Sequence, residues 1–143
     1  MRIPRDLLAA ACLLSLGLPS AAQAPETYKG RLAPVPVDAQ LAPNTLGHGN
    51  ASVSLTGAKL TVSGTFEGLR APATAAQLRR GLATGVRGPV LFELTVTKSA
   101  SGTISGSFDL TPEQIDGLRK GRLYVQIDSE KAPDGNLWGW LLK

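Results

Sequence analysis

The sequence contains few of the residues that usually carry enzyme chemistry. Its 143 residues include one cysteine, one histidine and one methionine. Nucleophilic catalysis needs an activated Ser, Cys or Thr beside a base. The single histidine, His48, lies between glycines in segment 46–50 and has no orienting partner visible in the sequence. We interpret His48 as a solvated turn residue and expect a non-catalytic protein with no cofactor.

The single cysteine, Cys12, lies in a segment that has the features of an export leader. Arg2 and Arg5 precede an apolar run over residues 7–18, and Ala22-Gln23-Ala24 matches the A-x-A pattern of a signal-peptidase site. We therefore predict that residues 1–24 are a signal peptide cleaved after Ala24. The remaining chain then has no cysteine, which excludes disulfides and thiolate metal sites.

Export predicts a periplasmic or secreted protein. A lipoprotein signal places an aliphatic residue three positions before its cysteine, where this chain has Ala9, so lipid anchoring through Cys12 is disfavoured. Beyond the leader, no apolar run approaches the roughly 20 residues of a membrane helix, and we expect no transmembrane segment.

Strong charge of one sign is also missing. The formal net charge is +4, aromatic residues make up 5% of the chain, and acidic residues separate the basic clusters at 79–87 and 119–122. A nucleic-acid binder usually shows a stronger basic face with aromatics interleaved, so no nucleic-acid partner is expected. Carboxylates near residue 112 suit a helix N-terminus, and those at Asp128 and Asp134 lack calcium-loop spacing.

Two segments follow the leader. Residues 25–47 are rich in proline and are predicted to form an extended arm, although 28–32 also suits a short edge strand. Residues 48–143 show short alternating segments separated by Gly, Ser, Asn and Asp, which is typical of an all-β, antiparallel β-sandwich. One short helix is predicted near 112–120, with Thr111 and Gln114 as a capping box and Gly121 as its stop.

Several motifs resemble the CHRD domain, a family named after repeats in chordin. They are Pro72-Ala73-Thr74-Ala75-Ala76-Gln77-Leu78-Arg79, Gly85-Val86-Arg87-Gly88-Pro89-Val90, Leu123-Tyr124-Val125 and Gly135-Asn136-Leu137-Trp138-Gly139-Trp140-Leu141. The resemblance runs from about residue 49 to residue 142. It implies a Greek-key β-sandwich similar in architecture to copper/zinc superoxide dismutase, but little about mechanism, because the activity of the family is poorly settled.

The chain departs from the family at three positions. Members typically carry histidines where this sequence has Gln77, Arg79 and Asp128. Three imidazoles form a plausible copper or zinc site, whereas an arginine side chain cannot become a ligand and repels a cation. We predict no metal here and an Arg79–Asp128 ion pair with Gln77 beside it. The alternative is three independent surface residues.

The C-terminal strands suggest a binding surface. If Asp128 pairs near Asn136, Tyr124 lies opposite Trp140 and Gln126 lies opposite Trp138. This aromatic face is either an exposed platform or a second small core covered by the proline-rich arm. The covered arrangement is favoured, because large exposed apolar patches are rare.

The function predicted from these residues is that of a binding or accessory module of the cell envelope. The candidate surface contacts are Tyr124, Trp138, Trp140, Arg80 and Arg87, and the partner is an unknown protein or glycan. One alternative is a degenerate metal-binding protein of superoxide-dismutase-like fold, using His48 and nearby carboxylates. A purely structural envelope protein is another.

Overall fold

In residues 24–143, alternating polar and apolar residues form eight strands, and a capped segment forms one short α-helix. The computed structural model describes residues 24–143, so the predicted signal peptide and Cys12 lie outside the described residues, apart from Ala24. The strands are β1 (Glu26–Pro34), β2 (His48–Thr56), β3 (Lys59–Glu67), β4 (Ala73–Arg80), β5 (Val90–Val96), β6 (Gly102–Asp109), β7 (Leu123–Ser129) and β8 (Leu137–Trp140). The helix is α1 (Pro112–Arg119), and a short 3₁₀ turn covers Ala42–Asn44.

The strands pair antiparallel and close into a barrel in the order β1-β2-β3-β6-β5-β4-β7-β8. The prediction of an all-β antiparallel fold is confirmed, but the prediction of a sandwich is wrong. Two narrow seams join what would otherwise be two sheets: β5 pairs with β6 at Thr95 and Val96, and β1 pairs with β8 at Ala33 and Pro34. The Greek-key description and the likeness to superoxide dismutase stay predictions.

The seam between β1 and β8 corrects the prediction for the proline-rich arm. Residues 26–34 form a barrel strand, whose register with β2 runs from Glu26–Leu55 to Leu32–Gly49. Lys29 and Leu142 also exchange two backbone hydrogen bonds, of 2.8 and 3.0 Å. Pro34 is accommodated because it occupies the last position of the strand, where its missing N–H does not interrupt the hydrogen-bond ladder. Residues 35–47 follow this strand outside the ladder and are called the arm below.

The barrel interior is filled by the inward-facing half of each strand. Strands β2 and β3 show the expected alternation of buried and exposed residues. The largest fully buried apolar side chains of the core are Leu32, Leu60, Leu78, Ile104, Leu118, Leu123, Ile127, Leu137 and Leu141. Burying a side chain of this size contributes about 1.5–3 kcal/mol, so this interior is the main source of stability.

Helix α1 forms where the sequence predicts it. The Thr111 hydroxyl accepts a hydrogen bond from the Gln114 N–H (3.2 Å), and the Gln114 side chain accepts one from the Thr111 N–H (2.9 Å), which completes the capping box. Gly121 has a φ of +73° just beyond the helix, the left-handed conformation predicted for its stop. The helix packs Leu118 against the barrel and leads the chain into β7.

Candidate functional site

Strand β7 is buried on both of its faces, although only one face points into the barrel. Leu123, Val125 and Ile127 belong to the core. The alternate residues, Tyr124, Gln126 and Asp128, point outward and are nevertheless buried. Loops therefore cover the outer surface of β7 and its neighbours β4 and β8. This covered outer face contains the site residues predicted from the sequence.

A chain of hydrogen bonds joins the polar residues of the face. The two Asp128 carboxylate oxygens accept bonds from the Gln77 and Gln126 amide nitrogens, each at 2.8 Å. The Gln77 carbonyl in turn accepts a bond from Arg79 Nε at 3.2 Å. A second Arg79 nitrogen, Nη1, donates to the Gly88 carbonyl at 3.2 Å. These bonds link the sheet to the loop at residue 88, while the buried Gln126 Oε1 has no hydrogen-bond partner among the described residues.

The predicted Arg79–Asp128 ion pair is wrong, because Gln77 lies between the two charges. Arg79 is opposite Tyr124 in the register, whereas Asp128 is opposite Ala75. Four strand positions at roughly 3.3 Å each separate the two charged residues along the sheet by about 13 Å. The alternative of three independent surface residues is wrong as well, since Gln77 bonds to both partners and is buried.

The residues at the three family histidine positions do not fit a transition metal ion. Both oxygens of Asp128 are engaged by amide donors, and the Gln77 carbonyl is engaged by a guanidinium that repels cations. Within residues 24–143, no group of three or more His, Cys, Asp or Glu side chains converges. His48 lies on the opposite side of the barrel order, in β2, and its Nε2 is 2.9 Å from Glu67 Oε1 at an exposed cross-strand pair.

The aromatic residues of the face form a packed cluster. Tyr124 stacks on Trp140 with ring centroids 4.3 Å apart, and Trp138 meets these two rings edge-on at 5.9 and 5.4 Å. The register that predicted Tyr124 opposite Trp140 and Gln126 opposite Trp138 is confirmed. Tyr124 is fully buried, so its predicted role as a surface contact is wrong, whereas both tryptophans are half-buried.

The cover over this cluster is the loop at residues 81–89, called the 81–89 loop below, and not the arm. Gly88 donates a hydrogen bond to the Tyr124 hydroxyl at 2.9 Å, and that hydroxyl donates to the Gly88 carbonyl at 3.2 Å. A Cβ at Gly81 would lie 3.0 Å from the Trp140 ring. The arm instead lies against residues 131–136, where Val35 donates to the Asn136 carbonyl at 3.0 Å.

Both ends of the 81–89 loop are fastened to the barrel. Gly81 donates to the Arg122 carbonyl at 2.8 Å, Arg80 donates to the Pro89 carbonyl at 3.1 Å, and the Thr84 hydroxyl donates to the Gly121 carbonyl at 2.7 Å. A Cβ at Gly88 would lie only 1.7 Å from the Arg80 carbonyl. Glycine is therefore required at this close approach, and the loop is held in one position.

The fastened loop presents cationic and apolar groups to solvent. Leu82 is 85% exposed, the highest value among the large apolar residues that the structure describes. It lines a cleft of about 480 Å³ together with Arg80, Arg87 and Arg122. The carboxylate in the cleft is Glu113, whose Oε1 is 3.1 Å from Arg80 Nη1. The arrangement can bind an acidic surface and cover Leu82 at the same time.

Sequence reasoning identified Arg80 and Arg87 but missed two participants. Arg122 is the residue before β7, and its place in the cleft depends on the hydrogen bond from Gly81. Gln126 was recognised only by its register, although it is the second donor to Asp128 and also bonds to the Asp134 carbonyl at 3.3 Å. No local pattern marks these contacts, because they arise from the meeting of distant segments.

Fold and site together define the class of protein: a single antiparallel β-barrel with a braced loop over a buried polar and aromatic face. Among the described residues, no helix has the length and apolar character needed to cross a membrane. A family model described as the CHRD domain matches residues 33–141, so the chain belongs to the CHRD domain family and the resemblance seen in its motifs is confirmed. No curated protein and no solved structure matches the chain.

Proposed function

We propose that this CHRD-domain protein is an exported, non-catalytic binding module of the bacterial periplasm or secreted fraction, acting through the 81–89 loop. The observation that carries the proposal is the exposure of Leu82 at 85% on a loop that is hydrogen-bonded to the barrel at both ends. An aliphatic side chain held in water is unfavourable in the isolated protein. Covering it with a partner gains about 25 cal/mol for each Å² buried.

The chemistry of the cleft favours a partner protein that carries acidic and apolar residues. Arg80, Arg87 and Arg122 supply the cationic groups, and arginine is enriched at protein interfaces. Of the three, Arg87 and Arg122 have no carboxylate partner within salt-bridge distance in the described part of the chain. A fastened loop also loses little conformational freedom on binding, which favours affinity.

A glycan partner has less support from the geometry. Stacking of a sugar needs an open aromatic face, whereas Tyr124 is buried beneath the loop and stacks on Trp140. The two tryptophans are half-buried and pack edge-on against each other. They support the loop from below and leave the contact surface to Leu82 and the arginines.

Site-specific photocrosslinking in cells tests this proposal. A benzophenone side chain at Leu82 should give a discrete cross-linked product, and the same group at Lys98 should not. Lys98 is the matched control because it is exposed in the turn at the other end of β5. Adding Arg87→Glu and Arg122→Glu should abolish the product by reversing the charge of the cleft.

Two results would overturn the proposal: equal products from Leu82 and Lys98, or a Leu82 product that survives the charge reversal. A cross-link to envelope polysaccharide would replace the protein partner by a glycan. N-terminal sequencing of the exported protein tests localisation separately, and a chain beginning at Pro25 is the expected result.

A further inference from the structure

A second cleft lies on the other side of Arg87, where the arm faces the loop at residues 130–136. It has a volume of about 310 Å³, within the range of small-ligand sites, roughly 300–1,000 Å³. Its apolar lining comes from both segments: Val37 and Leu41 from the arm, and Ala132 and Pro133 from the loop. This cleft is separate from the Leu82 surface, although Arg87 lines both.

Buried hydrogen bonds hold the two walls together. The Asn136 side chain donates to the Leu46 carbonyl at 3.0 Å and accepts from the Ser129 hydroxyl at 2.7 Å. Both side chains are fully buried. Within the arm, the Asp38 carboxylate accepts from the N–H groups of Gln40 and Leu41, each at 3.0 Å. The cleft is therefore formed before a ligand arrives.

The apolar lining is left partly in water. Val37 is 37% exposed and Leu41 is 49% exposed, and both lie in the cleft wall. Like the 81–89 loop, the arm therefore exposes large apolar side chains to solvent. A ligand with an apolar body would remove this surface from water, which is the dominant favourable term in such sites.

The charges in the lining select the polar end of that ligand. Arg87 and Lys131 contribute two cations, neither with a carboxylate within salt-bridge distance among residues 24–143. Asp134 contributes one carboxylate, so the lining has a surplus of one positive charge. We infer that the cleft binds a small amphiphilic anion, with its apolar body on Val37, Leu41 and Pro133 and its carboxylate or sulfonate toward Arg87 and Lys131.

Two fluorescent probes of similar shape test the inference on protein purified after expression of the full chain. Anilinonaphthalene sulfonate carries the anionic group, and N-phenyl-1-naphthylamine lacks it. We expect saturable, one-to-one binding of the sulfonate and binding of the neutral probe that is weaker by about twofold to fivefold, as one partly exposed charge pair implies. Asp134→Asn should tighten binding of the sulfonate, because it removes the repelling carboxylate.

Variants assign the probe to the cleft. Val37→Asp should weaken sulfonate binding by about tenfold or more, since it places a charge in the apolar wall, and Lys131→Gln should weaken only the sulfonate and not the neutral probe. Leu82→Asp is the matched control, because it removes an exposed leucine outside the cleft. Loss of binding in Leu82→Asp, equal affinity for the two probes, or no saturable binding would each overturn the inference. None of these results depends on the partner proposed for the 81–89 loop.

Discussion

The Tyr124 hydroxyl and the backbone of Gly88 exchange two hydrogen bonds, with the Gly88 N–H donating at 2.9 Å and the hydroxyl donating to the Gly88 carbonyl at 3.2 Å. One side chain of β7 thus satisfies both polar groups of a loop residue. Arg79 Nη1 bonds to the same carbonyl at 3.2 Å. Gly88 is therefore the point at which the covered outer face holds the 81–89 loop in place.

Tyr124→Phe should weaken the attachment of the loop at Gly88 while leaving the aromatic packing intact. The change deprives the Gly88 N–H of its side-chain acceptor, and an unsatisfied group of this kind costs about 1–3 kcal/mol of unfolding free energy. We expect a lower urea midpoint and faster tryptic cleavage after Arg87. Tyr28→Phe is the control, because the buried Tyr28 hydroxyl has no hydrogen-bond partner among the described residues. Equal stability of the two variants at neutral pH would show that the Gly88 bonds contribute nothing.

Gly88→Ala should be among the most damaging single-methyl additions in the loop. Its Cβ would lie 1.7 Å from the Arg80 carbonyl, a contact that only backbone movement can relieve. We expect a loss of about 3 kcal/mol or more, the upper end of the usual cost of overpacking. Gly85→Ala is the matched comparison, since Gly85 has a φ of +87° but no atom within 4 Å of its Cβ position. It should cost only about 1–2 kcal/mol from backbone strain. Thermal unfolding of both variants measures the two losses of stability, and similar losses would contradict the steric argument.

Asp128→Asn should disrupt the buried polar cluster without changing its volume. Asp128 accepts from two amide N–H₂ groups, and an asparagine would turn one of its own N–H₂ donors toward one of them. We expect a loss of about 2 kcal/mol, the cost of leaving buried donors unsatisfied. Asp109→Asn, at an exposed position at the end of β6, should change stability by less than about 0.5 kcal/mol. Chemical denaturation compares the two, and equal small effects would mean that the Asp128 contacts are weak.

Much of the barrel could be predicted from the sequence, because its signals are local. Alternation marked the strands from β2 onward, and Thr111 with Gln114 marked the start of the only helix described. The register of β7 with β8 could also be predicted, because a short connecting loop and a buried face allow few alternative registers.

The remaining features depend on contacts between distant segments. Closure of the barrel rests on the pairing of β1 with β8 at Ala33 and Pro34, with a further bridge between Lys29 and Leu142. Prolines in residues 25–47 favoured an arm instead of a strand. The Arg79–Asp128 prediction failed because shared faces do not fix the offset between strands. No local sequence pattern indicated that the 81–89 loop covers Tyr124, because the hydrogen bond from Gly88 to Tyr124 joins residues 36 positions apart.

Tyr28 gives the barrel a dependence on alkaline pH. Burial, with the neighbouring Glu26 carboxylate adding to it, raises the pKa of the Tyr28 hydroxyl above its ordinary value of 10.0, although Arg119 acts in the opposite direction. The folded protein therefore favours the neutral phenol more than the unfolded chain does. This contribution is fully present below pH 10 and is lost as the pH rises through the raised pKa of the folded state.

Tyr28→Phe removes the titrating group and should remove the corresponding loss of stability. Urea denaturation of both proteins between pH 8 and 11.5 measures the effect, and titrating lysines act on both proteins alike. We expect parallel profiles below pH 9 and a steeper decline for the unmodified protein above about pH 10. A steeper decline in Tyr28→Phe would show that the folded state favours the phenolate, which would require the Arg119 guanidinium to outweigh burial at this position.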